Sequence, residues 1–159
     1  MFVVLSHDRR RIVHLNVTAR PTSAWTAQQL REAWPSNSAP RFVIRDRDAI
    51  NGWDVRRAAG AMGIDEVLTA PRAPWQNPFV ERVIGSLRRE CLDHVIIWNE
   101  RGLRRHLHRY LAYYHRWRPH LSLDKDAPIP RPTAPPSAGR IVQVPEVGGR
   151  HHHYERRAA

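Results

Sequence analysis

The sequence FVIRDRD at residues 42–48 joins a short apolar run directly to alternating arginines and acids. An apolar run of this length beside charged residues is typical of a short buried strand that emerges at the edge of a sheet. Asp46 then lies at the strand end, where its side chain can face a cleft. Strand and helix patterns alternate on both sides of this segment, so the predicted fold class is α/β, a mixed sheet flanked by helices.

A second informative segment, WQNPFVER, occupies residues 75–82. Asn77 is a suitable helix cap and proline is favoured at the first helical position, so a helix is predicted to begin at Pro78. Glu81 falls in its first turn, with 34 residues between it and Asp46. Two carboxylates supply the hard oxygen ligands that Mg²⁺ prefers, which makes this pair a candidate metal site. Pairing of Asp46 with neighbouring arginines and a helix-dipole role for Glu81 are the alternatives.

Hydrophobic periodicity predicts the remaining elements. The predicted strands cover residues 2–5, 12–17, 41–44 and 66–69, and the first two form an antiparallel hairpin. The predicted helices cover residues 23–34, 54–62, 77–94 and 99–117. Prolines between residues 127 and 136 indicate an extended linker, and residues 141–144 and 151–154 are candidates for a small hairpin.

Positive charge is the strongest compositional signal. The chain has 26 basic and 15 acidic residues, a net charge of +11, and Lys125 is its single lysine. Guanidinium groups match phosphate oxygens bidentately, so a nucleic acid is the predicted partner, although an arginine-biased genome also accounts for part of the preference. Arg82, Arg88 and Arg89 lie off the apolar stripe of the helix at 77–94, which makes them candidate DNA contacts. A solvated helix face is the alternative.

Several classes of protein and site are excluded or disfavoured. Cys91 is the single cysteine, which excludes an internal disulfide and a zinc site built on a cysteine pair. No stretch approaches the roughly 18 apolar residues of a membrane span, so we expect a soluble, cytoplasmic protein without a membrane partner. The histidines at 151–153 are interpreted as part of a basic tail rather than a metal tract.

Aromatic residues have two interpretations each. The tyrosines at 110, 113 and 114 and Trp117 follow helical spacing, which favours a core or subunit interface over a stacking platform for bases. Trp75 and Gln76 are candidates for shaping the loop before the helix at Pro78, and a packing anchor is the alternative for Trp75.

The segments at residues 45–48 and 75–82, followed by GSLRREC at 85–91, resemble the integrase core of DDE transposases. The sequence YYHRWRPH at 113–120 resembles the segment that closes such cores. The resemblance implies a ribonuclease H-like fold at residues 1–126. Residues 127–159 are then a linker and basic C-terminal tail that could contain a small β-hairpin.

The resemblance also implies a reaction. Asp46 and Glu81 match the second Asp and the final Glu of the three catalytic carboxylates in that family. Two Mg²⁺ or Mn²⁺ ions held by three carboxylates support cleavage and joining of DNA strands. The implied partners are DNA, both transposon ends and target, and further copies of the chain in a synaptic complex.

Two departures from the family pattern affect this prediction. The first catalytic Asp normally lies on a strand before the hairpin, so we expect an N-terminally incomplete core that lacks the usual first strand and is impaired. Asp8 is a poor replacement because it falls in a predicted turn, and Asp48 is an alternative to Asp46. Asn51 stands where relatives often have an aromatic residue, which affects local packing. The alternative function is a non-catalytic DNA-binding or oligomerisation remnant of an inactivated transposase.

Overall fold

The computed structural model describes residues 1–35, 38–48 and 52–158, so Asn51 lies outside the described residues. The elements are β1 (Phe2–Leu5), β2 (Ile12–Asn16), α1 (Ser23–Ala33), β3 (Phe42–Arg45), α2 (Trp53–Ala61), β4 (Asp65–Leu68), α3 (Pro78–Glu90), α4 (Glu100–Arg116), β5 (Arg140–Glu146) and β6 (His151–Arg157). The chain divides into two compact units, of which unit 1 comprises residues 1–6 and 12–85 and unit 2 comprises residues 7–11 and 86–159.

Unit 1 contains two pairs of strands. Strands β1 and β2 form an antiparallel hairpin with an irregularity between Val4 and Leu5. Strands β3 and β4 are parallel, with α2 as the crossover between them. The predicted mixture of antiparallel and parallel strands is therefore present, but as two separate sheets rather than one. Within the described part of the chain, no third strand pairs with either β1 or β3.

Helices α1 and α2 form the core of unit 1. The side chain of Thr22 caps α1 by accepting a hydrogen bond from the backbone N–H of Trp25 (3.1 Å). Apolar side chains at helical spacing on both helices then pack together, and Val43 of β3 packs against them. The buried members of this cluster are Ala27, Leu30, Val55, Ala58, Ala59 and Ile64. The parallel strand pair is thereby held against the helices by one of its faces.

Helix α4 organises unit 2. The side chain of Asn99 accepts a hydrogen bond from the backbone N–H of Gly102 (2.8 Å), which satisfies a donor at the start of the helix. Its apolar side is fully buried at Leu107 and Tyr110, and Tyr113 and Tyr114 are buried beside them. These tyrosines therefore belong to a core and are not an exposed platform for stacking bases.

The C-terminal hairpin β5–β6 is part of the same packed unit. Its seven pairs of residues run from Arg140 opposite Arg157 to Glu146 opposite His151. The His151 ring stacks on Tyr113 with centroids 4.6 Å apart, and the His153 ring stacks on Trp117 at 3.7 Å. The histidines interpreted as a basic tail thus lie in strand β6, where cross-strand pairing holds all three and ring stacking also holds His151 and His153.

A partly buried ion pair links the end of α3 to the residues that follow α4. Arg118 donates through Nε to Glu90 Oε2 (2.8 Å) and through Nη2 to Oε1 (2.6 Å), and the Tyr110 hydroxyl donates to Oε2 (2.8 Å). Burial alone would raise the pKa of Glu90, but the hydrogen bonds from Arg118 and Tyr110 outweigh it and lower that pKa. Burial, with the nearby Arg118 charge, also lowers the pKa of His120 to about 4.

No helix in the described ranges is long and apolar enough to cross a membrane.

Candidate active site

Asp46 directly follows β3, at the carboxyl end of the parallel strand pair. Its side chain is exposed, and its Oδ1 accepts a hydrogen bond from the backbone N–H of Asp48 (3.3 Å). Arg45 Nε donates to Glu66 Oε1 at 2.5 Å, where both side chains are largely buried, and Arg45 Nη1 donates to the backbone carbonyl oxygen of Asp46 (3.0 Å). Carboxyl ends of parallel strands are common places for ligand sites. The predicted position of Asp46 at a strand end is therefore confirmed.

Two side chains connect the neighbouring loops at this edge of the sheet. Arg47 Nε donates to the carbonyl oxygen of Thr69 (3.0 Å), immediately beyond β4. Gln76 Oε1 accepts from the backbone N–H of Ala70 (2.6 Å) in the same loop. Gln76 thus shapes the segment that leads into α3, as the sequence indicated. Trp75 has 72% of its surface exposed, so the packing-anchor interpretation of this residue is wrong.

Glu81 lies in the first turn of α3, which begins at Pro78 as predicted. Its backbone N–H donates to the carbonyl oxygen of Asn77 (3.4 Å), and its side chain is exposed. The opposite side of the helix is buried at Val83 and Leu87. The helix stops at Glu90, earlier than expected, and a 3₁₀ turn at Leu92–His94 follows. Helical spacing thus presents Glu81 away from the apolar stripe.

The carboxylates of Asp46, Asp48 and Glu81 do not make up a three-ligand metal site. No group of three or more His, Cys, Asp or Glu side chains in the described part of the chain is placed to hold a metal ion. Asp46, Asp48 and Glu81 belong to unit 1, whereas Asp8 lies in the turn at residues 7–11 of unit 2. The backbone carbonyl of Asp8 accepts from the N–H of Arg10 within that turn. The donor atoms are hard oxygens of the type Mg²⁺ prefers, but they do not supply a third ligand.

The three arginines expected to contact DNA are exposed on α3. Arg82 follows Glu81 directly, and Arg88 and Arg89 lie in the last turn. Arg88 Nε lies 4.0 Å from Asp93 Oδ1 while 70% of the arginine side chain remains exposed, so this ion pair is weak. Each guanidinium is therefore accessible to a polyanion.

Comparison with known families identifies one segment. Residues 62–128 match the family model described as the integrase core domain. This segment is similar to the integrase core domain. A search of curated proteins and a search of solved structures each gave no match.

The integrase core segment spans β4, α3 and α4. It includes Glu81 and the three arginines of α3, whereas Asp46 precedes it. The match covers less than half of the chain. It supports the interpretation that this segment comes from an integrase or transposase catalytic core. The family predicted from the motifs at 75–82 and 85–91 is therefore confirmed.

Sequence reasoning did not identify Arg47 as a residue that holds the loop at this edge. A side chain to backbone contact across 22 residues has no periodicity or motif of its own. The only local signal is an arginine at the next-to-last position of the polar run at residues 45–48, and such arginines are common in loops.

Proposed function

We propose that this protein is a transposase or integrase core that binds DNA and one divalent cation through Asp46 and Glu81. A ribonuclease H-like architecture is part of the proposal. Cleavage and joining of DNA strands by such a core would require a third carboxylate in addition to these two. The observation that carries the proposal is the integrase core match, which includes Glu81 at the start of α3.

The arrangement of the two acids supports this function. Asp46 is exposed at the carboxyl end of β3, and Glu81 is exposed in the helix that follows the loop from β4. Gln76 and Arg47 order the segment between them through their backbone contacts. When bound, Mg²⁺ or Mn²⁺ would activate the attacking oxygen and stabilise the leaving oxygen. The chain's own contribution would be one carboxylate directly after β3 and one in the first turn of α3, the helix that also carries Arg82, Arg88 and Arg89.

A non-catalytic function is the second candidate. No group of three metal-ligating side chains is found in the residues that the structure describes. With two carboxylates, a cation would be held less tightly, and the chain would then act as a DNA-binding or self-associating remnant. Homo-oligomerisation in a synaptic complex belongs to both versions of the proposal.

The test is cleavage of DNA from the ends of the mobile element that encodes the chain. Catalysis predicts that the full chain forms product with Mg²⁺ or Mn²⁺, and that excess EDTA abolishes product while DNA binding persists. Binding without product under every metal condition would establish the non-catalytic function. Product formation at the same rate in EDTA would contradict a metal-dependent mechanism. Failure to bind DNA at all would overturn both candidates.

The three arginines of α3 lead to a quantitative prediction. Each phosphate contact contributes about 0.9 to the slope of log affinity against log salt for duplex DNA. Replacing Arg82, Arg88 and Arg89 together by glutamine is expected to reduce that slope by nearly 3, measured by fluorescence anisotropy.

The matched control for this triple variant removes the same charge elsewhere. Arg20, Arg31 and Arg57 are exposed in unit 1 and lie outside α3. Their replacement by glutamine is expected to change the slope by less than about 1. Equal slopes in the two triple variants would assign the effect to net charge and remove α3 from the DNA interface.

A further inference from the structure

Unit 2 contains a cavity of about 320 Å³ that no part of the proposed active site uses. It lies where three segments of unit 2 meet: the 3₁₀ turn after α3, helix α4, and the turn between β5 and β6. Its lining residues are Cys91, His94, Val95, His106, Arg109, Val147, Gly148, Gly149 and Arg150. Asp46 and Glu81 belong to unit 1, so this pocket is not part of the predicted carboxylate pair.

The polar side chains of this pocket are two guanidinium groups, two imidazoles and the Cys91 thiol. His106 and Arg109 are three residues apart on α4 and therefore lie on the same side of that helix. Arg150 contributes a second guanidinium from the hairpin turn, and His94 a second imidazole. His94 Nε2 donates to the carbonyl oxygen of Arg89 (2.6 Å), which orients its ring. The lining includes no Asp or Glu, so an anion is the ligand that these groups favour.

The turn between β5 and β6 forms one wall of the pocket, and its backbone conformation is unusual. Val147, Gly148 and Gly149 all have positive φ, at 50°, 72° and 85°. A β-branched residue such as Val147 rarely adopts this conformation, and such strain tends to occur at binding sites. The two glycines present backbone without a side chain, which lets a ligand approach the wall closely.

Other ligand classes fit the pocket less well. A metal ion is disfavoured because no three His, Cys, Asp or Glu side chains within the described ranges are placed to hold one. Burial raises the pKa of the Cys91 thiol, so it stays neutral and leaves the positive charge uncompensated. The apolar lining is limited to two valines and this cysteine, which is little surface for an apolar ligand.

We propose that this pocket binds a DNA phosphodiester, with Arg109 and Arg150 as bidentate donors and His106 as a supporting donor. The inference rests on the proposed function, because DNA is the source of phosphate that an integrase core meets. The cavity is larger than one phosphate group, so an adjoining sugar can enter with it. The chain thus has a DNA contact on α4 and the C-terminal hairpin, in addition to the arginines of α3.

The test compares two double variants of the full chain in EDTA, so that cleavage plays no part. Arg109→Gln with Arg150→Gln is expected to lower duplex affinity about tenfold at about 0.1 M salt and to reduce the salt slope by nearly 2. The control is Arg105→Gln with Arg140→Gln, which removes one exposed arginine from α4 and one from the hairpin. We expect the control to stay within about threefold of the unmodified chain.

A second readout follows the imidazole resonances of His94 and His106 by NMR, with inorganic phosphate and with a short duplex as separate ligands. Shifts with both ligands support the proposal. Shifts with inorganic phosphate alone would assign the pocket to free anions and overturn a DNA contact. Duplex binding without these shifts would contradict phosphate binding in the pocket, and so would equal affinities of the two double variants. Either result would leave the proposed function intact. A chain that binds no duplex would contradict the proposed function as well.

Discussion

Replacing Glu81 by glutamine is expected to lower the rate of metal-dependent DNA cleavage about a thousandfold. Glutamine keeps the size and helix propensity of the side chain but removes the charge that holds a divalent cation. Because Glu81 is exposed in the first turn of α3, the substitution leaves the packing of the helix unchanged. The measurement is the initial rate of product formation with Mg²⁺ or Mn²⁺ at saturating DNA.

The matched control is Glu100→Gln. Glu100 is also an exposed acid in the first turn of a helix, so its loss has the same effect on net charge and on the helix dipole. We expect its cleavage rate to stay within about twofold of the unmodified chain. A Glu81→Gln rate equal to that of Glu100→Gln would remove Glu81 from the active site.

The same pair of variants remains informative in a chain that does not cleave DNA. Bound Mn²⁺ broadens the NMR signals of nearby amides, and we expect this broadening around Asp46 and Glu81. It should be lost in Glu81→Gln and retained in Glu100→Gln. Broadening that is unchanged in Glu81→Gln would show that the cation binds elsewhere.

Replacing Arg118 by methionine is expected to lower the free energy of unfolding by roughly 3 kcal/mol. The substitution removes both hydrogen bonds from Arg118 to Glu90 and leaves a carboxylate that is only 24% exposed without its cation. Methionine retains much of the length of the apolar stem, so the loss reports mainly the ion pair. Urea unfolding followed by tryptophan fluorescence gives the measurement.

An exposed ion pair of the same length serves as the control. Arg104 Nη2 lies 2.6 Å from Glu100 Oε1, as Arg118 Nη2 lies from Glu90 Oε1, but the Arg104 and Glu100 side chains are 45% and 41% exposed. Solvent screens the exposed pair, so Arg104→Met is expected to cost less than about 0.5 kcal/mol. Equal costs for the two substitutions would show that burial does not strengthen the Glu90 pair.

The pH dependence gives a further check on Arg118→Met. Hydrogen bonding lowers the pKa of Glu90 in the folded state from its ordinary value of 4.5. The stabilising contribution is therefore fully present above pH 4.5 and is lost as the pH falls through the folded-state pKa. The difference in stability between the two chains should shrink below pH 4.5, and a constant difference would point to lost packing instead.

Local signals in the sequence predicted the helices and their starts well. Thr22, Asn99 and Pro78 mark the beginnings of α1, α4 and α3 because capping and proline preferences act within a few residues. The end of α3 was less accurate, since the apolar stripe continues through Cys91 while the helical hydrogen bonds stop near Glu90. Periodicity reports which side is buried, and it does not report where the backbone changes conformation.

The candidate site also has features that local sequence predicted and features that it did not. The motif at residues 75–82 was enough to predict the integrase core family and the first-turn position of Glu81. The exposure of Trp75 was not predictable, because an aromatic residue packs or stays exposed according to what other segments place beside it. Whether Asp46 and Glu81 bind one cation stays a prediction.

The sequence by itself determined the α/β class, the helix starts, the basic character and the family of residues 62–128, since these depend on nearest neighbours and on motif chemistry. Tertiary structure alone decided three features: the separation of the strands of unit 1 into two pairs, the burial of the Glu90 and Arg118 pair, and the pocket with two arginines. Each joins residues from segments that are distant in the chain. Such contacts depend on how helices and strands pack, which no local pattern encodes.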